Sequence, residues 1–354
     1  MQQPAAQQSA RAGREGDVLA VVSQSGPTVS FFDAASDRRL GTVEVLAQPH
    51  ELCFDPTQRL LWCTSTYHSG YYHANSGRRT EVTVIDPDAR RIVEVVDLAP
   101  EHAPHGLALD MARSRLYVSV EGSADRPGGV VVIDTGTRRP IGRIDTQAPG
   151  PHWFAIDAAG RTGYATNKDA RFVSVVDLER GILAAKAEVP GSEGLAVSPD
   201  SAHAYVAAPY TNFSPAAGEE SPAPGIRVVD GRTASVVDVL PLGNTAMPVH
   251  LTSTGKLLAG ELRKDAGSES GPGRAARLTI FSAATHERIG ATEVGNGPLT
   301  ITSSPDGRIA YVACVAASTV DLVDLETLRR LARLDIARLG DPGAHGLAYL
   351  PRPS

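Results

Sequence analysis

Short apolar runs rich in valine, isoleucine and aromatic residues alternate with Gly, Pro, Asp and Ser along almost the whole chain, beginning with DVLAVVSQ, TVSFFDA and RLGTVEVL. Such runs between turn-forming residues predict strands joined by tight turns. One run recurs. Its variants are QPHELCFD around His50, APHGLALD around His105, GPHWFAID around His152, GSEGLAVS around Glu193, TAMPVHLT around Met247, GPLTITSS around Leu299 and GAHGLAYL around His345. Successive index residues lie 55, 47, 41, 54, 52 and 46 positions apart, within or a little above the period of one four-stranded propeller blade.

Each repeat reads as an inner strand, a turn such as SPDSAH or SPDGR, a second strand, a third ending in VID or VVD, and a fourth. The first three strands of the chain lack a leading copy of the recurring run. GAHGLAYL, at 343–350, stands alone at the other end. Pairing the two completes a last sheet and leaves only short, protected edges. The predicted fold is therefore all-β, one seven-bladed β-propeller over residues 17–350, closed by pairing the C-terminal strand with the N-terminal blade. Residues 1–16 are polar and Gln-rich and read as a disordered tail.

The runs SPDGRIAYVAC (304–314) and FVSVVDL (172–178) resemble the SPDG, YVAN and VSVID motifs of the YncE-like, YVTN-repeat family of seven-bladed propellers. The resemblance covers about residues 17–350. It implies the fold and little about activity, because these motifs set blade geometry and members of the family serve as binding proteins, scaffolds and enzyme parts. Members are commonly exported, whereas residues 1–16 hold no apolar core of a secretory signal.

Composition narrows the function. The formal charge is −6 with Lys and Arg scattered, so no footprint for nucleic acid or anionic lipid is visible. No run approaches the roughly 18 apolar residues that span a bilayer. Cys53, Cys63 and Cys314 are an odd number in a long chain and read as free thiols in a cytoplasmic protein, although Cys53 and Cys63 fall on consecutive strands. No GxSxG elbow, P-loop, dinucleotide fingerprint or CxxC pair occurs.

The index residue begins the innermost strand, so ring closure brings all seven to one channel mouth. Four are histidine, and His345, His50, His105 and His152 fall on consecutive blades. Neutral imidazoles converging from separate strands suit a transition metal, iron or copper first, then zinc, manganese or nickel, whereas magnesium and calcium prefer oxygen. An all-histidine set adds no charge, so a bound ion keeps its power to polarise a substrate or bind dioxygen. Duplication of one ancestral blade would also pass histidine on without a use for it. The arrangement is similar to that of the carotenoid cleavage oxygenases, propellers that hold iron on four histidines, in ring geometry only. Glu51, Glu121 and Glu193 are placed to fix the outer ring nitrogens, and Glu193 is a candidate catalytic base.

Three loops between second and third strands exceed what a hairpin needs, at 65–80, 209–225 and 261–276. The first reads as a lid whose Tyr67, His68, Tyr72 and His73 touch substrate. The other two look disordered. Tyr210 reads as a further substrate-binding residue, and Lys168, Asp169 and Glu261 as weaker candidates. His250 reads as a satisfied core histidine, His203 and His286 as solvated, and His102 as a rim residue. These features predict a metal-dependent enzyme, an oxidoreductase or oxygenase acting on a small organic molecule. The alternatives are a non-catalytic propeller that binds a ligand or a protein partner, and a metal-assisted lyase or lactone hydrolase.

Overall fold

The computed structural model describes residues 15–72, 74–262, 276–337 and 342–353. The described residues form seven four-stranded sheets and one two-stranded ribbon. Inner strands of blades one to six are Pro49–Asp55, His102–Asp110, Pro151–Ile156, Leu195–Val197, Ala246–Leu251 and Pro298–Ser303. The seventh is Ala344–Leu350, which pairs antiparallel with Val18–Ser23, and Thr28–Asp33 and Arg39–Glu44 follow outward in the same sheet. Asp17 fastens this closure, accepting hydrogen bonds from the Tyr349 hydroxyl at 2.6 Å and the Arg352 backbone N–H at 2.9 Å.

Position within a blade decides burial. Second strands such as Arg115–Glu121 and third strands such as Gly129–Asp134 have neighbouring blades on both faces and are buried almost end to end. Continuous apolar runs rather than a strict two-residue alternation are the sequence counterpart of that double burial. Trp62, Tyr117, Tyr164, Tyr205 and Tyr311, at one equivalent second-strand position, fill the gaps between blades. Outer strands such as Arg91–Asp97 face solvent along most of their length.

The VID and VVD endings close the third strands. Asp134, Asp230 and Asp324 each accept the backbone N–H three residues on, at 2.7 Å, the side-chain turn that aspartate favours. Cys53 stands opposite Trp62, not Cys63, and all three cysteines are free. Burial pushes the thiols of half-buried Cys53 and buried Cys63 up to about 12, which keeps both protonated and poorly nucleophilic.

The loop at 209–224 runs without a strand, with an Arg171–Glu219 ion pair at 2.8 Å and Phe213 against Gly191. Residues 1–14 of the tail and 263–275 of the third loop lie outside the described residues. Among the described residues no helix is long and apolar enough to cross a membrane.

Candidate metal centre

The local sequence explains how the histidines meet. At the recurring run the inner strands of blades one to three slip register with their neighbours, between Pro49 and Leu52, Pro104 and Leu107, and Pro151 and Phe154. Proline has no N–H to give to a ladder, so the slip costs little there. The N–H groups freed by it go instead to hydroxyls of the second strand: Glu51 to Thr64 at 3.1 Å, Gly106 to Ser119 at 2.9 Å and Trp153 to Thr166 at 3.1 Å. Thr64 then donates onward to the His105 carbonyl at 3.0 Å, and Ser119 to the His152 carbonyl. In blades one and two a single hydroxyl thus repairs its own strand and grips the next, while Thr166 turns back to the Trp153 carbonyl of its own inner strand at 3.5 Å. These hydroxyls recur in LLWCTS, RLYVSVE and TGYATN, a signal the histidine pattern overshadows.

The glycine of the PHG and AHG variants has a second role. A Cβ on Gly106 would stand 2.7 Å from the carbonyl oxygen of His152, and one on Gly346 would collide with the carbonyl of His50. Glycine at these positions lets adjacent inner strands close up, which brings the index side chains into contact.

All four histidines are buried. Ring centroids lie 4.1 Å apart for His50 and His345, 4.9 Å for His50 and His105, 4.4 Å for His105 and His152, and 5.6 Å for His50 and His152. Donor atoms of His50, His105 and His152 all fall within 4.8 Å of one another, and so do those of His50, Glu51 and His345. Two imidazole nitrogens on one metal stand roughly 3–4 Å apart at metal–nitrogen distances of about 2.1 Å, so small side-chain rotations suffice for such groups to share an ion. His50 belongs to both groups.

Each predicted carboxylate stands beside its histidine. Glu51 Oε1 lies 3.5 Å from His50 Nδ1 and 3.3 Å from His345 Nδ1. Glu121 Oε1 lies 3.0 Å from His105 Nε2, and Glu193 Oε1 lies 3.4 Å from His152 Nδ1. Tyr67 donates its hydroxyl to Glu121 Oε1 at 2.5 Å, and Arg78 reaches Oε2 of the same carboxylate at 3.1 Å. A carboxylate only accepts, so His105 carries its proton on Nε2 and keeps its lone pair on Nδ1, which is buried without a hydrogen-bond partner. The unspent lone pair suits an ion.

Electrostatics agree. Burial, with neighbouring histidines and Lys168, holds His50 and His152 well below the usual imidazole range, and burial with Lys168 lowers His345 to about 3. The rings are therefore neutral, the form that ligates metal. Burial and the nearby Glu193 charge raise Glu51 well above the carboxylate range, and burial raises Glu193 to about 7. Burial would also raise Glu121, but hydrogen bonds from His105 and Tyr67 and the charge of Arg78 hold it below its ordinary value.

The cluster opens into a cavity of about 600 Å³ whose wall includes His50, His152, His345, Tyr67, Tyr72 and Tyr210. The 65–80 loop folds into a small ribbon, Gly70–Tyr71 with Ala74–Asn75, which helps to set Tyr67 and Tyr72 over the histidines. Lys168 lies 4.0 Å from the Tyr72 ring centroid and 4.9 Å from that of Tyr210, and Glu193 lines the same wall. His68 is exposed and outside this wall, and His73 lies outside the described residues. Glu261 is buried away from it, accepting from Thr279 and from the Asn244 backbone. Trp153, Gln48, Thr211 and Asn212 also line the cavity and carried no sequence signal. His250 meets Ser303 at 2.9 Å, and His286 meets Asp238 at 2.7 Å on the outer surface.

Fold and site together define a seven-bladed β-propeller with a buried histidine–carboxylate cluster at one mouth of its channel. No family model matches the chain. Its sequence is 23% identical, over 298 residues, to the seven-bladed beta-propeller protein Rv1057 of Mycobacterium tuberculosis, a match spanning 83% of this chain but 64% of that protein's length. Its structure is similar to a chain of the Kuenenia stuttgartiensis hydrazine synthase, with a TM-score of 0.61, 16% identity and 86% of each chain covered. At that identity the likeness is one of fold.

Proposed function

We propose that the protein is a metal-dependent enzyme, an oxidoreductase acting in the cytoplasm on a small organic molecule held in the cavity above the histidines. The observation that carries this reading is the cluster itself: four buried, uncharged imidazoles on four blades, each beside a buried carboxylate. Burying so many polar groups in one place costs stability unless they acquire a partner. His50, His105 and His152 form one set, and His50 links it to a second with Glu51 and His345. A bound transition metal, iron or copper before zinc, manganese or nickel, supplies Lewis acidity and, for iron and copper, one-electron chemistry.

The chain's own residues do the rest. Glu121 fixes the His105 ring and is held in turn by Tyr67 and Arg78, while Glu51 and Glu193 stand beside the other three imidazoles. Tyr72, Tyr210, Trp153 and Met247 give the substrate an amphipathic wall, and Gln48 and Asn212 offer neutral hydrogen bonds for orientation. A second reading, a metal-assisted lyase, is favoured by Glu193, whose carboxyl titrates at about 7 and whose Oε2 has no hydrogen-bond partner, as a general base requires.

Elemental analysis tests the proposal. Protein purified without chelators or a metal-affinity tag, then offered each metal in turn, should retain about one equivalent of at least one. Retention of none would leave the ligand-binding propeller as the better account.

A further inference from the structure

His152 differs from the other three histidines in having its acceptor nitrogen already engaged. Its Nε2 lies 3.1 Å from the Lys168 ammonium, and its Nδ1 lies 3.4 Å from Glu193 Oε1. An ammonium only donates, so Nε2 holds the lone pair and the ring carries its proton on Nδ1. Lys168 uses that lone pair. A metal needs the same one.

Lys168 is held in place from several sides. It ends the second strand of blade three, just after Thr162–Asn167, and is 6% exposed. Its ammonium lies 3.2 Å from Glu193 Oε1 and over the faces of Tyr72 and Tyr210. Carboxylate and aromatic faces are the groups that select a cation. His105, His50 and His345 have no comparable cation on a ring nitrogen among the described contacts.

We infer that Lys168 is the resident cation of the metal-free centre and competes directly with the metal for His152. The inference rests on the metal reading above. Ion entry must break the Lys168–His152 hydrogen bond and move a positive charge away from an arriving one. The 600 Å³ cavity, which Lys168 itself lines, gives the side chain room to withdraw. Affinity at this site is thus lower than its four imidazoles alone would give, and Lys168 sets the difference.

Cobalt(II) titration of metal-free protein, followed by calorimetry and by the visible ligand-field spectrum, tests this. Lys168→Met keeps the aliphatic stem against the two tyrosines and removes the donor. It should bind cobalt about tenfold or more tightly than the wild type with unchanged stoichiometry, the worth of one charged hydrogen bond. Should loss of the ammonium unbalance Glu193 and impair folding, Lys168→Met combined with Glu193→Gln removes both charges and should again bind more tightly than Glu193→Gln alone. Affinity equal to or weaker than that of the matching Lys168 parent, in a protein whose His105→Ala variant loses the ion, would overturn the competition and leave the metal reading standing. No binding by the wild type or by Lys168→Met would overturn both.

Discussion

The imidazoles of His50 and His345 stand 4.1 Å apart, centroid to centroid, with planes at 73°, although they lie 295 positions apart in the chain. Glu51 Oε1 lies within 3.5 Å of Nδ1 on both rings. One pair therefore joins ring closure to the candidate site, because the strand that shuts the propeller also delivers the fourth histidine.

Deleting the chain from Gly343 onward should accordingly damage fold and site together. The lost strand carries Leu347 and Leu350, 5% and 2% exposed, and each buried leucine is worth about 2–5 kcal/mol. Differential scanning calorimetry should show Tm lower by ~10 °C or more, or no cooperative transition. A truncated protein that melts within a degree or two of the full chain would contradict the closure.

Gly106→Ala should be far more harmful than its chemistry suggests. The added methyl would meet the His152 carbonyl at 2.7 Å, and relief requires blades two and three to separate, an overpacking cost of about 1–3 kcal/mol. Gly142→Ala is the control, since its nearest neighbour, Val132, is at 3.9 Å. Urea unfolding should show a lower midpoint for Gly106→Ala, and metal binding should weaken in that variant alone.

Glu121→Gln should separate ligation from orientation. Glutamine keeps the size of the side chain but loses the charge that accepts from His105 and Tyr67 and pairs with Arg78. Metal affinity should fall about 10–100-fold with the fold intact by circular dichroism. His105→Ala should abolish retention, and His286→Ala, on the outer surface, should leave it unchanged.

Acid should destabilise the protein through His250 as well as through the cluster. Burial lowers this imidazole from 6.5 to about 4, so between those values the unfolded chain binds the proton and the folded chain does not. Stability is then full above about pH 6.5 and falls as pH drops toward 4. His250→Gln removes that term, so its Tm should decline less than the wild type's between pH 7 and 4.5. Parallel curves would show that His250 is not involved.

Blade count, closure and the equivalence of the index positions were legible in the sequence because a repeat writes each of them several times over. The turn aspartates and the continuous apolar runs are local signals, and each local choice agrees with the global fold. Glu51, Glu121 and Glu193 could be nominated as companions of the histidines from strand position alone.

Other features could not be read from the sequence because they depend on how strands and blades meet. The partnership of Lys168 with His152 depends on where a second strand ends relative to its own inner strand, and on two tyrosines arriving from the loops of blades one and four. Tyr67 on Glu121 and the onward bonds of Thr64 and Ser119 likewise require neighbouring blades to be in place, although the hydroxyls themselves recur in the sequence. His68 shows the converse: it shares a loop with Tyr67 and Tyr72 yet is exposed, because the ribbon's turn decides which side chains face the channel. Sequence alone determined that four histidines begin consecutive inner strands. Only the tertiary structure decided their division into two groups sharing His50, and which of their lone pairs were already taken, because those depend on distances of a few ångströms between strands far apart in the chain.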